Sequence, residues 1–97
     1  METADAIRRL QAMRVPLEEA GIRALYLFGS TARGTAGHGS DVDLFVDPDY
    51  DRFDFVALMR TESRLSERLG RRVDLITREG LHPGLRAKIE SEAIRVI

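Results

Sequence analysis

The amino-acid sequence predicts an α/β (α+β) fold, a small mixed sheet of three to four strands backed by about four helices. Three observations carry that expectation. Apolar residues recur at helical spacing in two stretches, Thr3 to Met13 and Phe53 to Leu69. Three short apolar or alternating runs, Ala24 to Phe28, Asp41 to Asp47 and Arg71 to Thr77, read as strands. Helical and extended segments alternate along the chain, as they do in a sheet covered by helices.

In the first helix Ile7, Leu10 and Met13, with Leu17 beyond, share one face, and Arg8, Arg9 and Gln11 lie between them. Pro16 should kink or restart this helix, and Gly21 is a good stop after Ala20. Ala24 to Phe28 is then a buried strand closed by Gly29, with Tyr26 and Phe28 expected in the core. Gly29 to Ser40, with Gly34, Gly37 and Gly39, is a loop in which Ser30 to Arg33 can form one helical turn.

Asp41 to Asp47 alternates as a second strand that Pro48 ends, so Asp47 and Asp49 read as turn residues. Phe53 to Leu69 is the strongest helix, with Phe55, Leu58, Glu62, Leu65 and Leu69 on the 3.6 period and Gly70 as its stop. Arg71 to Thr77 is the third strand. Pro83 suits the first position of a last helix carrying Leu85, Ile89 and Ala93. Ala93 to Ile97 extends that helix or adds an edge strand, and periodicity does not decide between them.

A chain of 97 residues is expected to form one domain, residues 1–97. Its 43% hydrophobic and 32% charged content excludes the disordered and membrane classes. The absence of Cys excludes a disulfide framework or a thiolate metal site and fits a reducing cytoplasm. No apolar run approaches the roughly 20 residues of a membrane span. The acidic start Met1 to Asp5 lacks the order of a signal peptide, so the expected location is the cytoplasm. A net charge of −1 supplies no basic field, and nucleic acid is not expected as the direct substrate.

The chemistry is concentrated in Gly29-Ser30-Thr31-Ala32-Arg33-Gly34, followed by Ser40-Asp41-Val42-Asp43-Leu44. Residues two apart on a strand face the same side, so Asp41 and Asp43 project together while Val42 and Leu44 enter the core. Neighbouring carboxylates repel unless a cation lies between them, and a hard ion such as Mg²⁺ suits oxygen ligands. Val73 and Leu75 as core residues turn Asp74 to the opposite face, where it joins the pair if the third strand lies beside the second. Three such carboxylates can hold two metal ions about 3.5–4 Å apart for in-line displacement at phosphorus.

Gly29 permits close backbone approach to a ligand, and a following helical turn aims free N–H groups at an anion. Ser30 adds a hydroxyl donor and Arg33 a guanidinium one turn later. The loop can therefore cradle a triphosphate while the acids hold metal. His38 and His82 lie in loops and are assigned no chemistry. Arg60, Arg64 and Arg68 form a ridge continued by Arg71 and Arg72, expected to be a solvated face.

The segment Leu25 to Val46 resembles the signature of the DNA polymerase β nucleotidyltransferase superfamily, a Gly-Ser followed about a dozen residues later by Asp-x-Asp. More closely, the chain is similar to the small prokaryotic MNT-domain proteins, whose loop reads Gly-Ser-x-Ala-Arg-Gly before Ser-Asp-x-Asp. The likeness runs from the leading helix to the closing Pro-Gly-Leu-Arg segment. It implies the nucleotidyltransferase fold, an enzyme that uses Mg²⁺, and a nucleoside triphosphate, ATP, as substrate. It also implies an antitoxin paired with a HEPN-domain RNase toxin, silenced by AMP attached to a toxin tyrosine. Carried over by position, Gly29 and Ser30 would contact phosphates, while Asp41, Asp43 and Asp74 would bind metal.

Three functions are compatible with these residues: a protein adenylyltransferase, a non-catalytic antitoxin acting by occlusion, and nucleotidyl transfer to RNA or a small molecule. Three clustered acids are costly without metal, which favours catalysis. Larger superfamily members hold the acceptor with an extra helical domain, for which 97 residues leave no room. A partner chain is therefore expected to complete the site.

Overall fold

The computed structural model describes residues 1–97. Helices α1 (Thr3–Gln11) and α2 (Arg14–Glu19) lead into strand β1 (Ile22–Phe28), and the short helix α3 (Gly29–Arg33) follows without a gap. Strand β2 (Val42–Pro48), helix α4 (Phe55–Leu69) and strand β3 (Val73–Thr77) come next. The chain ends with helix α5 (Arg86–Glu92) and strand β4 (Ile94–Arg95). This is the expected mixed sheet, with four strands and five helices. The additional helix arises because the first helical stretch breaks at Met13, and Pro16 then sits in the first turn of α2, where its missing N–H costs nothing.

The strand order is β3-β2-β1-β4. β1 runs antiparallel to both β2 and β4, and β2 runs parallel to β3. The terminal segment is thus an edge strand: Val96 donates its N–H to the Leu25 carbonyl at 2.8 Å, and Val96 and Ile97 are buried.

One face of the sheet carries the core. Leu25, Leu27, Val42, Leu44, Val46, Val73 and Leu75 meet Leu10 and Leu17 from the leading helices and Leu65 and Leu69 from α4. These are alternate residues of each strand, as the period of two requires. The other face presents Tyr26, Phe28, Asp43, Phe45, Asp47 and Asp74. Tyr26 and Phe28 are therefore not in the main core as expected; both are half-buried and flank Phe45, with Tyr26 stacked on it at 4.7 Å between ring centroids.

Asp47 is likewise a strand residue and not a turn residue. Its carboxylate accepts a two-pronged pair of hydrogen bonds from Arg78 at 2.7 and 2.8 Å, and Arg78 also donates to Glu90 of α5. The guanidinium lies over the Tyr26 and Phe45 rings at 4.8 and 4.9 Å. Arg78 thus fastens α5 to the second face of the sheet, and its pKa is raised, chiefly by the hydrogen bond to Asp47.

Two helix starts differ from expectation. The Asp54 side chain caps α4 by accepting from the Ala57 N–H at 2.8 Å, so the helix begins at Phe55. Phe55 consequently points outward, 71% exposed, while Phe53 before the cap is buried and lines a small cavity with Leu58. That is the staple arrangement of residues on either side of a helix start. Pro83 does not open the last helix: Gly84 donates its N–H to His82 Nδ1 at 3.0 Å, and Pro83 to Leu85 form a turn before Arg86. Leu85 is exposed as a result.

Candidate active site

The phosphate-loop candidates sit where β1 passes directly into α3. Phe28 is still extended, Gly29 has φ +73°, and Ser30 begins the single turn ending at Gly34, φ +76°. The reversal after Phe28 uses a left-handed residue, which glycine adopts without steric cost. Thr31, 1% exposed, is the buried residue of this turn, and its carbonyl accepts from the Thr3 hydroxyl at 2.5 Å. The turn is therefore anchored to α1 from beneath, a role for Thr31 that its position between two candidate ligands did not signal.

Asp43 pairs in register with Phe28 on one side and with Asp74 on the other. The condition placed on Asp74 is met: β3 lies beside β2, and both carboxylates are on the face away from the core. Asp41, just before β2, lies two residues before Asp43. Burial pushes the Asp43 carboxyl above its ordinary value, Asp74 and then Asp41 push it further, and Arg33 opposes them. Arg33 is an exposed neighbour of this group and also stands 3.7 Å from Glu92 of α5.

β3 is an edge strand, and α4 takes up its outward N–H groups. Leu75 donates to Glu62 Oε2 at 2.9 Å and Val73 to Ser66 Oγ at 3.1 Å. These bonds hold the two residues that flank Asp74. Glu62, at an apolar position of the helical period, is thus a ligand for strand backbone; an acid at a core-facing helix position is the signal that could have identified it.

Arg72 does not continue the Arg60, Arg64, Arg68 ridge. Those three are exposed along α4, whereas Arg72 Nε lies 3.8 Å from Asp41 and 4.0 Å from Asp74. Its place two residues before Asp74 could have revealed this by the same alternation that linked Asp41 to Asp43.

The donor set fits a hard cation: all three acids offer carboxylate oxygens on one sheet face, and Asp43 is destabilised in its charged form. The side chains do not yet converge, since no group of three acidic or imidazole residues is arranged to hold a metal ion. Gly29 lies against Asp43, and the Arg33 charge acts on the same carboxylate, so the loop that carries Ser30 adjoins the acids.

A family model described as nucleotidyltransferase domain matches residues 11–96. Protein adenylyltransferase MntA of Thermococcus cleftensis is 34% identical over 80 residues, covering 81% of this chain and 79% of that protein. A solved structure described provisionally as a minimal nucleotidyltransferase superposes with a TM-score of 0.83 at 33% identity, covering 97% of this chain and 95% of the other. A chain from the complex of a tri-AMPylated HEPN toxin of Shewanella oneidensis with MNT antitoxin shares the fold, with a TM-score of 0.66, 19% identity, and coverage of 94% and 71%. No helix here is long and apolar enough to cross a membrane. With the Gly-Ser turn, the Asp-x-Asp strand and the third Asp strand on one surface, this chain belongs to the nucleotidyltransferase domain family.

Proposed function

We propose that this chain is a Mg²⁺-dependent protein adenylyltransferase that moves AMP from ATP to a hydroxyl of a partner protein. The observation that carries the reading is the register pairing of Asp43 with Asp74 beside the Gly29 turn. Asp41, Asp43 and Asp74 would hold the metal ions, two in number. Bound there, Mg²⁺ would stabilise charge on the phosphates and lower the pKa of the attacking hydroxyl.

The chain's own residues bind and orient. Gly29 lets the backbone approach the triphosphate, the Ser30 hydroxyl donates to a phosphate oxygen, and Arg33 adds a guanidinium. The acceptor oxygen forms a bond to the α-phosphorus, the α–β anhydride bond breaks, and pyrophosphate leaves with the electron pair. The hydroxyl proton passes to an oxygen base, a site carboxylate or a solvent water, and from there to bulk solvent.

The partner we infer is a cognate HEPN-domain toxin, which makes this chain the antitoxin and places the pair in the cytoplasm, where ATP is available. The name of the Thermococcus cleftensis relative and the AMPylated toxin in the Shewanella oneidensis complex support this. Neutralisation by binding and occlusion is the alternative that the same experiment decides.

Co-expression with the inferred HEPN-domain partner and intact-mass measurement of that partner separates the two. One or more added AMP units, absent with Asp41→Asn, supports transfer. Equal neutralisation of an unmodified toxin by wild type and Asp41→Asn supports occlusion.

A further inference from the structure

We propose that Arg72 is the resident counter-cation of the acid cluster, a positioning residue that a divalent cation must displace. This rests on the metal-holding reading of Asp41, Asp43 and Asp74. Val42 pairs with Val73 and Asp43 with Asp74 in the parallel ladder. Asp41 and Arg72 each stand one position before that ladder, and Val42 donates its N–H to the Arg72 carbonyl at 2.9 Å. By the period of two, Asp41, Arg72, Asp43 and Asp74 form four corners on one face. Three corners are carboxylates and the fourth is a guanidinium.

The geometry is that of a displaceable ion. Arg72 Nε stands 3.8 Å from Asp41 Oδ2 and 4.0 Å from Asp74 Oδ1, too long for hydrogen bonds, so charge and not a locked fork holds it. Its side chain is 78% exposed, so little packing holds it in place. Arg33, the other cation near the cluster, already stands beside Glu92. Asp41 and Asp74 share Arg72 on one side while Asp43 lies against Gly29.

Arg72 and a metal ion compete for the same oxygens. Removing the guanidinium therefore tightens metal binding and loosens the metal-free fold, a pairing of effects that an unconnected surface arginine does not produce.

The test measures Mn²⁺ uptake by electron paramagnetic resonance at low ionic strength, where surface charge is least screened. Mn²⁺ is bound to wild type, Arg72→Gln and Arg72→Lys, with and without a non-hydrolysable ATP analogue. Arg72→Gln is expected to bind Mn²⁺ at least threefold more tightly, and Arg72→Lys to stay near wild type. In EDTA, Arg72→Gln is expected to lower Tm in the wild-type background but not in the Asp41→Asn, Asp74→Asn background. Equal or weaker Mn²⁺ binding by Arg72→Gln, or the same Tm loss in both backgrounds, overturns the proposal while leaving the metal site standing. If no variant takes up Mn²⁺ even with the analogue, the metal reading falls and this one with it.

Discussion

Gly29 lies directly against the carboxylate of Asp43. A Cβ built on Gly29 would stand 3.2 Å from Asp43 Cγ and closer still to Oδ2, and Gly29 has φ +73°. The antiparallel pairing of Phe28 with Asp43 causes this approach, by setting the residue after the strand beside the acid. The Gly29 turn and the Asp43 carboxylate are therefore in direct contact.

Gly29→Ala is expected to fail for two reasons at once. The left-handed backbone costs an alanine about 1–2 kcal/mol of stability. The new methyl also displaces the Asp43 carboxylate, so affinity for a non-hydrolysable ATP analogue should fall further than stability does. Ser30→Ala should be milder, about 1–2 kcal/mol of binding for one hydrogen bond to a charged group. Calorimetric titration beside urea unfolding measures both; unchanged affinity in the two variants would remove the phosphate cradle.

Asp43→Asn is expected to abolish transfer and to raise the stability of the metal-free protein at neutral pH. The folded-state pKa of Asp43 is raised, so the folded chain takes up this proton before the unfolded chain does. Its penalty is fully present above the folded-state pKa and disappears as pH falls through that value toward the ordinary aspartate range. The stability advantage of Asp43→Asn should shrink over that same window. Unfolding in EDTA across a pH series follows it, and an advantage that does not change with pH would contradict the burial and repulsion at this site.

Chelation is expected to separate binding from folding. With EDTA the chain should stay folded, because Asp41, Asp43 and Asp74 all lie outside the core, while ATP affinity becomes weak and transfer stops. Added Mg²⁺ should restore both. Circular dichroism alongside transfer of radiolabel from ATP reads the two effects, and transfer that persists in excess EDTA would exclude the metal role.

Arg78→Ala is expected to release α5 from the sheet. It removes hydrogen bonds to Asp47 and Glu90, leaves both acids partly buried without that partner, and uncovers the Tyr26 and Phe45 rings. Loss of charge-assisted hydrogen bonds of this kind costs about 1.5–3 kcal/mol. Arg78→Lys keeps the charge but loses the fork over Asp47, so it should recover only part of the stability. Urea unfolding of the three proteins measures the difference, and equal stability would mean that α5 docks without Arg78.

Alternation along each strand was readable from residue types alone. Val42, Leu44, Val73 and Leu75 had to enter the core, and this turned Asp41, Asp43 and Asp74 the other way. The Gly-Ser turn was equally legible, since glycine after an apolar strand marks a reversal that other residues resist. Strand parity, however, says only which face a residue occupies, not which strand lies beside it. The parallel pairing of β2 with β3 decided that Asp74 meets Asp43 and that Arg72 meets Asp41.

The start of the long helix was a local matter as well, since Asp54 caps it from three residues before Ala57 and turns Phe55 outward, against the apolar period. Tertiary structure made the last residues a strand, since β1 had an open edge to pair with Ile94 and Arg95. Local pattern determined the chemistry each element carries; long-range pairing, whose partners are distant in sequence, determined which of those chemistries meet.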